Sequence, residues 1–304
     1  MYIQYEIKEL EGLCNQLMAI FRTLEEVFFY KNKGEPVCMI LNDVQSRTSI
    51  DCDIHPYFRN IEVDAFIDVQ DLIQLLNDRN IEVQRAKDVK MIPQNKIINC
   101  RRFPNREVTL EESAALGLFV AKFFPFSKRI LKISNFIIGA MSFYPKWKAV
   151  HLRIEKDLTH IPDINTQGLD IFIQNQFTHI IESVINSENL SAIYIASGLL
   201  ENEYTVLSEN LKEKKPGLKI INKQQLLKNY PDIQKEFNNL SLEEQALIDW
   251  LVCIGAPFFI GPHASSFSYL TGYMRHYRGF HTETTYLFPE YQPYWDKWFP
   301  CVKK

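Results

Sequence analysis

Short apolar runs of β character alternate with longer runs of helical periodicity through the second half of the chain. That order restricts the fold more than any other feature. Residues 147–152 read as a strand, and Phe172, Phe177, Ile180, Ile181 and Val184 recur at helical spacing over 167–186. Further strands follow at 192–196, 218–221 and 258–261, while Ser241 with Glu244 three residues later is the capping-box pattern for a helix over 241–254. A polar helical region is expected between 222 and 240. Parallel neighbours need a long crossover and antiparallel ones only a tight turn. A strand–helix–strand order therefore predicts a parallel sheet with helices on both faces.

The first half has the same grammar. Residues 2–7 alternate as a strand, and Leu17, Ile20, Leu24, Val27 and Phe28 form a helical stripe that stops at Lys33-Gly34. Strands are expected at 36–41, at 66–67 and at 81–83, with Asp68 or a neighbour capping a helix that carries Leu72, Ile73, Leu75 and Leu76. Residues 110–143 read as two helices split at Pro125 that complete a first domain. Pro145 and Lys146-Trp147-Lys148 mark a boundary between domains 1–146 and 147–304. The aromatic tail, with Tyr291, Tyr294, Trp295, Trp298 and Phe299, is expected to pack back onto the body.

Composition excludes several classes. Hydrophobic residues make up 46% of 304, enough for a sizeable core, and glycine is sparse at 11. The net charge is −3 and neither half is strongly basic, so nucleic acid is not expected as a partner. The six cysteines are scattered and form no CxxC, which argues against a zinc site or a dense disulfide framework. No basic stretch leads into an apolar run at the start, and no apolar run reaches the ~18 residues of a membrane span. A cytoplasmic chain with reduced thiols is expected, although a shortened secretory-pathway protein has the same pattern. Asp51-Cys52-Asp53 resembles a DxD metal motif, but no apolar strand leads into it; it reads as a surface loop, and no metal is expected. The basic run 101–106 reads as a solvated loop.

Three stretches carry candidate chemistry. His151, Arg153, Glu155 and Asp157 alternate, which places four ionisable groups on one face of an extended chain. Arg153 offers a rigid, permanently charged fork suited to a diphosphate. Residues 11–16, Glu-Gly-Leu-Cys-Asn-Gln, form a strand-to-helix turn where Gly12 permits close backbone approach. There Asn15 caps the helix, and Asn15 and Gln16 supply donors. Gly261-Pro262-His263-Ala264-Ser265-Ser266-Phe267 is a second such turn, with hydroxyls and N–H groups able to cradle phosphate oxygens.

These stretches also carry a resemblance. VHLRIEKDL resembles the HLRFEKDM signature of the plant-type O-fucosyltransferase superfamily and the HLR segment of protein O-fucosyltransferases. FIGPHASSFSYLTGYMR is similar to the family's FIG-x-x-x-SSF segment. The turn at 12–16 is similar to its G-L-x-N-Q turn, residues 66–76 follow its FDvxxFIxxL spacing, 193–198 its I-Y-L-A-T-G strand and 246–253 its A-L-D-Y-I-V-C helix. The resemblance runs from about residue 11 to 279 and is absent over 30–60 and 200–240.

It implies a GT-B fold: two Rossmann-like domains with a cleft between them, the donor GDP-fucose held mainly by the second, and metal-independent, inverting transfer to a hydroxyl of a glycan or protein acceptor. By position it implies that Arg153 neutralises the departing β-phosphate, that His151 lies beside the nucleotide, and that His263, Ser265, Ser266 and Phe267 form the phosphate turn. Asp249 would accept hydrogen bonds from guanine, and Gly12, Leu13, Cys14, Asn15 and Gln16 would lie near the fucose. Glu11 and Asp157 are the candidate bases, since some relatives carry Glu in an E-G-F-N turn. Cys14, Glu11, Glu155 and Asp157 depart from one or other pattern, and leave the acceptor and the base open. Two alternatives stand beside this reading: another donor, GDP-mannose or UDP-rhamnose, and a non-catalytic nucleotide-sugar or carbohydrate binder.

Overall fold

The computed structural model describes residues 1–7, 11–48, 58–89, 96–154, 168–198 and 201–288. Two sheets carry the chain, and every strand pair in them is parallel. In the first, β1 (Tyr2–Tyr5) lies between β2 (Cys38–Leu41) and β6 (Ile97–Cys100), with β5 (Glu82–Arg85) outside β2. In the second, β7 (Trp147–His151) is central between β8 (Ala192–Ala196) and β10 (Phe258–Pro262); β9 (Lys219–Ile221) and β11 (Thr285–Phe288) form the edges. All four residues of β2 and all five of β8 are buried. Strands covered on both faces bury every position, which is why these read as continuous apolar runs rather than alternating ones.

The helices follow from stripes and caps. Helix α1 (Leu13–Asn32) buries Leu17, Ile20, Leu24 and Val27. Asp68 caps α2 (Val69–Asn77), its Oδ1 accepting from the Asp71 N–H at 3.0 Å. Pro125 separates α3 (Leu110–Phe123) from α4 (Lys128–Met141). In the second half come α5 (Leu169–Ile185), α6 (Glu201–Lys214), α7 (Lys223–Leu227), α8 (Pro231–Asn238), α9 (Leu242–Gly255) and α10 (Ser266–Tyr277). The capping box at Ser241 and Glu244 is formed, and a second at Thr109 and Glu112 opens α3.

Helices α3 and α4 do more than complete the first half. Helix α4 packs extensively on α9, and α3 on α10. One core runs continuously from Ile3 and Leu17 through Val120 and Ile133 to Trp250, Leu251 and Tyr273. Tyr273 donates to the Ser113 carbonyl at 3.2 Å, and Arg129 pairs with Glu244. Gly117 is what lets α3 approach α10: a β-carbon there would stand 2.1 Å from the Tyr277 ring. A smaller core, with Val150, Ile173, Phe177, Ile195 and Ile260, fills the other face of the second sheet.

Several local expectations change. The strand expected at 66–67 is only an isolated bridge between Ile67 and Phe126, because a 3₁₀ turn over Val63–Ala65 turns the chain just before it. The polar region after β9 is two helices, the second started by Pro231 at its first turn. Strand β6, helix α6 and an antiparallel hairpin of β3 (Val44–Arg47) and β4 (Phe58–Ile61) were not expected. The hairpin is fastened to α9 by the buried Glu243. Its carboxylate accepts from Ser46 Oγ, Arg47 N and Arg47 Nε, each at 2.7 Å. Asp51-Cys52-Asp53 and the aromatic tail lie outside the described residues. Among the described residues, no helix is long and apolar enough to cross a membrane.

Candidate active site

The carboxyl edge of the second sheet brings two of the three candidate stretches together. Because β7 and β10 are parallel neighbours, the residues that follow them leave the sheet side by side. His151 ends β7 and is 4% exposed. Its Nδ1 lies 2.7 Å from Ser268 Oγ, and its ring stacks on Phe267 with centroids 4.2 Å apart and planes 27° apart. Phe267 and Ser268 belong to the first turn of α10, so the strand end and the helix start are locked together. Gly261 makes this possible, since a β-carbon there would stand 2.3 Å from Ser268 Oγ.

Ser265 occupies the N-cap position of α10, but its side chain makes no cap bond. Ser265, Ser266 and Phe267 are half-buried. The first N–H groups of a helix have no partner within it. This end therefore offers donors to an anion, and the Ser265 hydroxyl is not spent on the helix itself. His263 is 1% exposed, with its ring edge-on to Tyr269 at 5.7 Å. Burial pushes its imidazole down to about 4, so it is neutral at neutral pH.

The strand ends sooner than the alternation suggests. After His151, Leu152 N–H still reaches the neighbouring strand, donating to the Ala196 carbonyl at 3.0 Å. Leu152 and Ile154 are buried and Arg153 is half-buried between them. The extended face expected for His151, Arg153, Glu155 and Asp157 can be followed only as far as Ile154, since Glu155 and Asp157 lie outside the described residues. The backbone of Arg153 is held by a side chain instead. Its N–H donates to Gln176 Oε1 at 2.9 Å, and its carbonyl accepts from Gln176 Nε2 at 2.7 Å.

Asp249, the carboxylate that the resemblance assigns to guanine, has partners within the protein. It is 3% exposed on α9, where Oδ1 accepts from Tyr194 Oη at 2.6 Å and Oδ2 pairs with Lys223 Nζ. Lys223, itself buried, also donates to the Ser197 carbonyl at 3.3 Å. Burial, reinforced by the Asp249 charge, holds the Tyr194 phenol far above its ordinary value. Both carboxylate oxygens thus have internal partners before any base arrives.

The turn at 11–16 is also rearranged. Gly12, not Asn15, is the N-cap of α1, and Asn15 sits in the first turn. Among the described residues, nothing lies within 4 Å of a β-carbon built at Gly12. Gln16 is fully buried, and Nε2 donates to the carbonyls of Glu11 at 2.8 Å and Gln45 at 2.9 Å. Its Oε1 accepts from Gln45 N–H at 2.8 Å. One amide hydrogen closes the turn on Glu11 and the other ties it to Gln45 of β3, so both are used within the protein. The side chains of Leu13 and Cys14 point into the core, and burial pushes the Cys14 thiol well up. Glu11, 8% exposed, has its Oε1 3.7 Å from Arg102 Nε. The run 101–106 is accordingly less free than a solvated loop: Arg101 pairs with Glu6, and Arg106 with Glu26 and Glu112. An open cavity of ≈ 290 Å³ at the carboxyl ends of β1 and β2 is lined mainly by polar side chains, among them Gln4, Asn42, Gln45 and Asn60.

Ser268, Gln176 and Lys223 were not singled out from the sequence. For Gln176 the signal was present, as a lone amide among Ile173, Phe177 and Ile180 on the buried stripe of α5. Among the described residues, no group of three or more His, Cys, Asp or Glu could hold a metal ion.

Residues 46–278 match the family model described as GDP-fucose protein O-fucosyltransferase. No curated protein matches the sequence. Among solved structures, the fold is similar to POFUT1 in complex with GDP, at a TM-score of 0.57 and 14% identity, covering 95% of this chain and 98% of that one. The likeness to POFUT1 in complex with GDP-fucose has the same TM-score and coverage at 13% identity. Those structures are GT-B, and the two parallel sheets described above are that architecture.

Proposed function

The chain belongs to the GDP-fucose protein O-fucosyltransferase family and is a fucosyltransferase-family enzyme, and from that premise we propose that it transfers fucose from GDP-fucose to a hydroxyl of a glycan or protein acceptor, with inversion and without a metal. The donor is assigned to residues 147–304 and the acceptor side to 1–146. The observation that carries the reading is the junction of His151, Phe267 and Ser268. It fixes the uncapped start of α10 against the end of β7, two residues before Arg153.

The chemistry assigned to these residues follows from where charge develops. Cleaving the glycosidic bond to GDP puts negative charge on the β-phosphate and oxocarbenium character on the sugar. The Arg153 guanidinium and the N–H and hydroxyl groups of Ser265 and Ser266 are donors for those phosphate oxygens, and preorganised donors act most strongly where charge grows. His151, its Nδ1 taken up by Ser268, lies beside the nucleotide. His263 is buried behind the turn and supports it. On the other side of the cleft, Gly12 and Asn15 lie near the sugar, and Glu11 is the described carboxylate proposed to take the acceptor proton.

A thermal-shift series tests this. A ligand at about 100 times its dissociation constant adds ~2.7 kcal/mol of apparent stability. GDP and GDP-fucose should raise the melting midpoint more than UDP or UDP-sugars do, equally with and without EDTA. Slow hydrolysis of GDP-fucose should accompany binding. A GDP effect abolished by EDTA would overturn the metal-free assignment, and binding with no donor turnover would favour a non-catalytic binder.

A further inference from the structure

Gln176 bonds to both backbone polar groups of Arg153, and it is 1% exposed. A buried amide on an otherwise apolar helix stripe costs stability unless both its ends are bonded. Here the bonds go outward, to the stretch of chain that follows the end of β7. Strand β7 ends at His151, and Leu152 still bonds to β8. One residue later, Gln176 does what a neighbouring strand would do, accepting from the Arg153 N–H and donating to the Arg153 carbonyl. Leu152 and Ile154 are buried on either side, so the backbone at 153 is clamped, while Arg153 as a whole is half-buried.

We propose that Gln176 is a positioning residue for transfer: it sets the backbone of Arg153, and thereby the direction in which the guanidinium meets the leaving phosphate. This rests on the role given to Arg153 above. A misplacement of about 1 Å at such a group can cost on the order of 10²-fold in rate. Two variants separate positioning from packing. Gln176→Met keeps the volume and removes both bonds. Gln176→Glu has the same shape, and in its protonated form restores both: the acid O–H donates to the Arg153 carbonyl, and the acid C=O accepts from the N–H. Burial favours that neutral form.

Donor hydrolysis, GDP affinity and melting should be measured on wild type, both Gln176 variants, Arg153→Ala, and Gln176→Met combined with Arg153→Ala. Gln176→Met should lower kcat per folded molecule by ~10-fold or more, with a smaller change in donor KM. In the Arg153→Ala background it should have almost no further effect on kcat, because it acts through that residue. Gln176→Glu should regain activity relative to wild type as the pH falls. Unchanged kcat per folded molecule, or losses that multiply in the double variant, would overturn the role while leaving the enzyme assignment intact. If Gln176→Met does not fold, a Gln176→Glu protein whose kcat per folded molecule stays far below wild type down to the lowest pH at which it folds overturns it equally. A wild-type protein that neither binds GDP nor hydrolyses GDP-fucose removes the proposed function, and this role with it.

Discussion

His263 should make the protein lose stability on mild acidification in a way that one substitution removes. The side chain is 1% exposed, behind the turn that joins β10 to α10. Burial lowers its pKa from 6.5 to about 4. The unfolded chain therefore takes up a proton between those values that the folded chain refuses. Stability linked to this group is fully present above pH 6.5 and drains away as the pH falls towards 4. At about 1.4 kcal/mol for each pH unit between the two values, the whole amounts to about 3 kcal/mol, most of it gone by pH 4.5. For a chain of this size that is roughly 5 °C or more in melting midpoint. Melting curves of wild type and His263→Gln should be compared at half-unit steps from pH 7.5 to 4.5. The substitution removes the titration, so its midpoint should fall less steeply, whatever it costs at neutral pH. Carboxylates that titrate in the same range cancel in the comparison. Parallel curves for the two proteins would refute the claim that His263 is held neutral by burial.

Three further outcomes follow from the site. Arg153→Lys keeps the charge but loses the fork and should lower kcat more than it raises donor KM, while Arg153→Ala should cost ~10²-fold or more in kcat/KM; a variant that melts lower yet turns over normally would make the arginine structural. Asp249→Asn leaves buried Lys223 without its anion and should cost about 3 kcal/mol or more of stability, with GDP affinity per folded molecule unchanged; weakened GDP binding at an unaltered melting midpoint would instead return Asp249 to the base. Gly261→Ala drives a methyl against Ser268 Oγ and should cost about 1–3 kcal/mol while weakening GDP; an unaltered melting midpoint would show that α10 can move away freely.

The sequence by itself determined the parallel α/β architecture, because that depends on periodicity and on crossover length, both local properties. The apolar runs of β2, β7, β8 and β10, the stripe of α1, the break at Pro125 and the cap at Ser241 are all properties of neighbouring residues. Strands of weak local character, such as β4 with Phe58, Arg59, Asn60 and Ile61, were invisible. Their hairpin is held by Glu243, which lies 196 residues from Arg47. The site divides the same way. Motif order brought His151, Arg153 and the 261–267 turn to attention, but only the tertiary structure decided what each group has left to give. Gln16 spends both amide hydrogens on backbone, each oxygen of Asp249 already has a partner in Tyr194 or Lys223, and the Arg153 backbone is bonded by Gln176. A residue's type states which hydrogen bonds it can make. Which of them remain for a ligand depends on partners that are distant in sequence, and a buried polar group takes those partners first because leaving it unpaired costs more than the bond itself is worth.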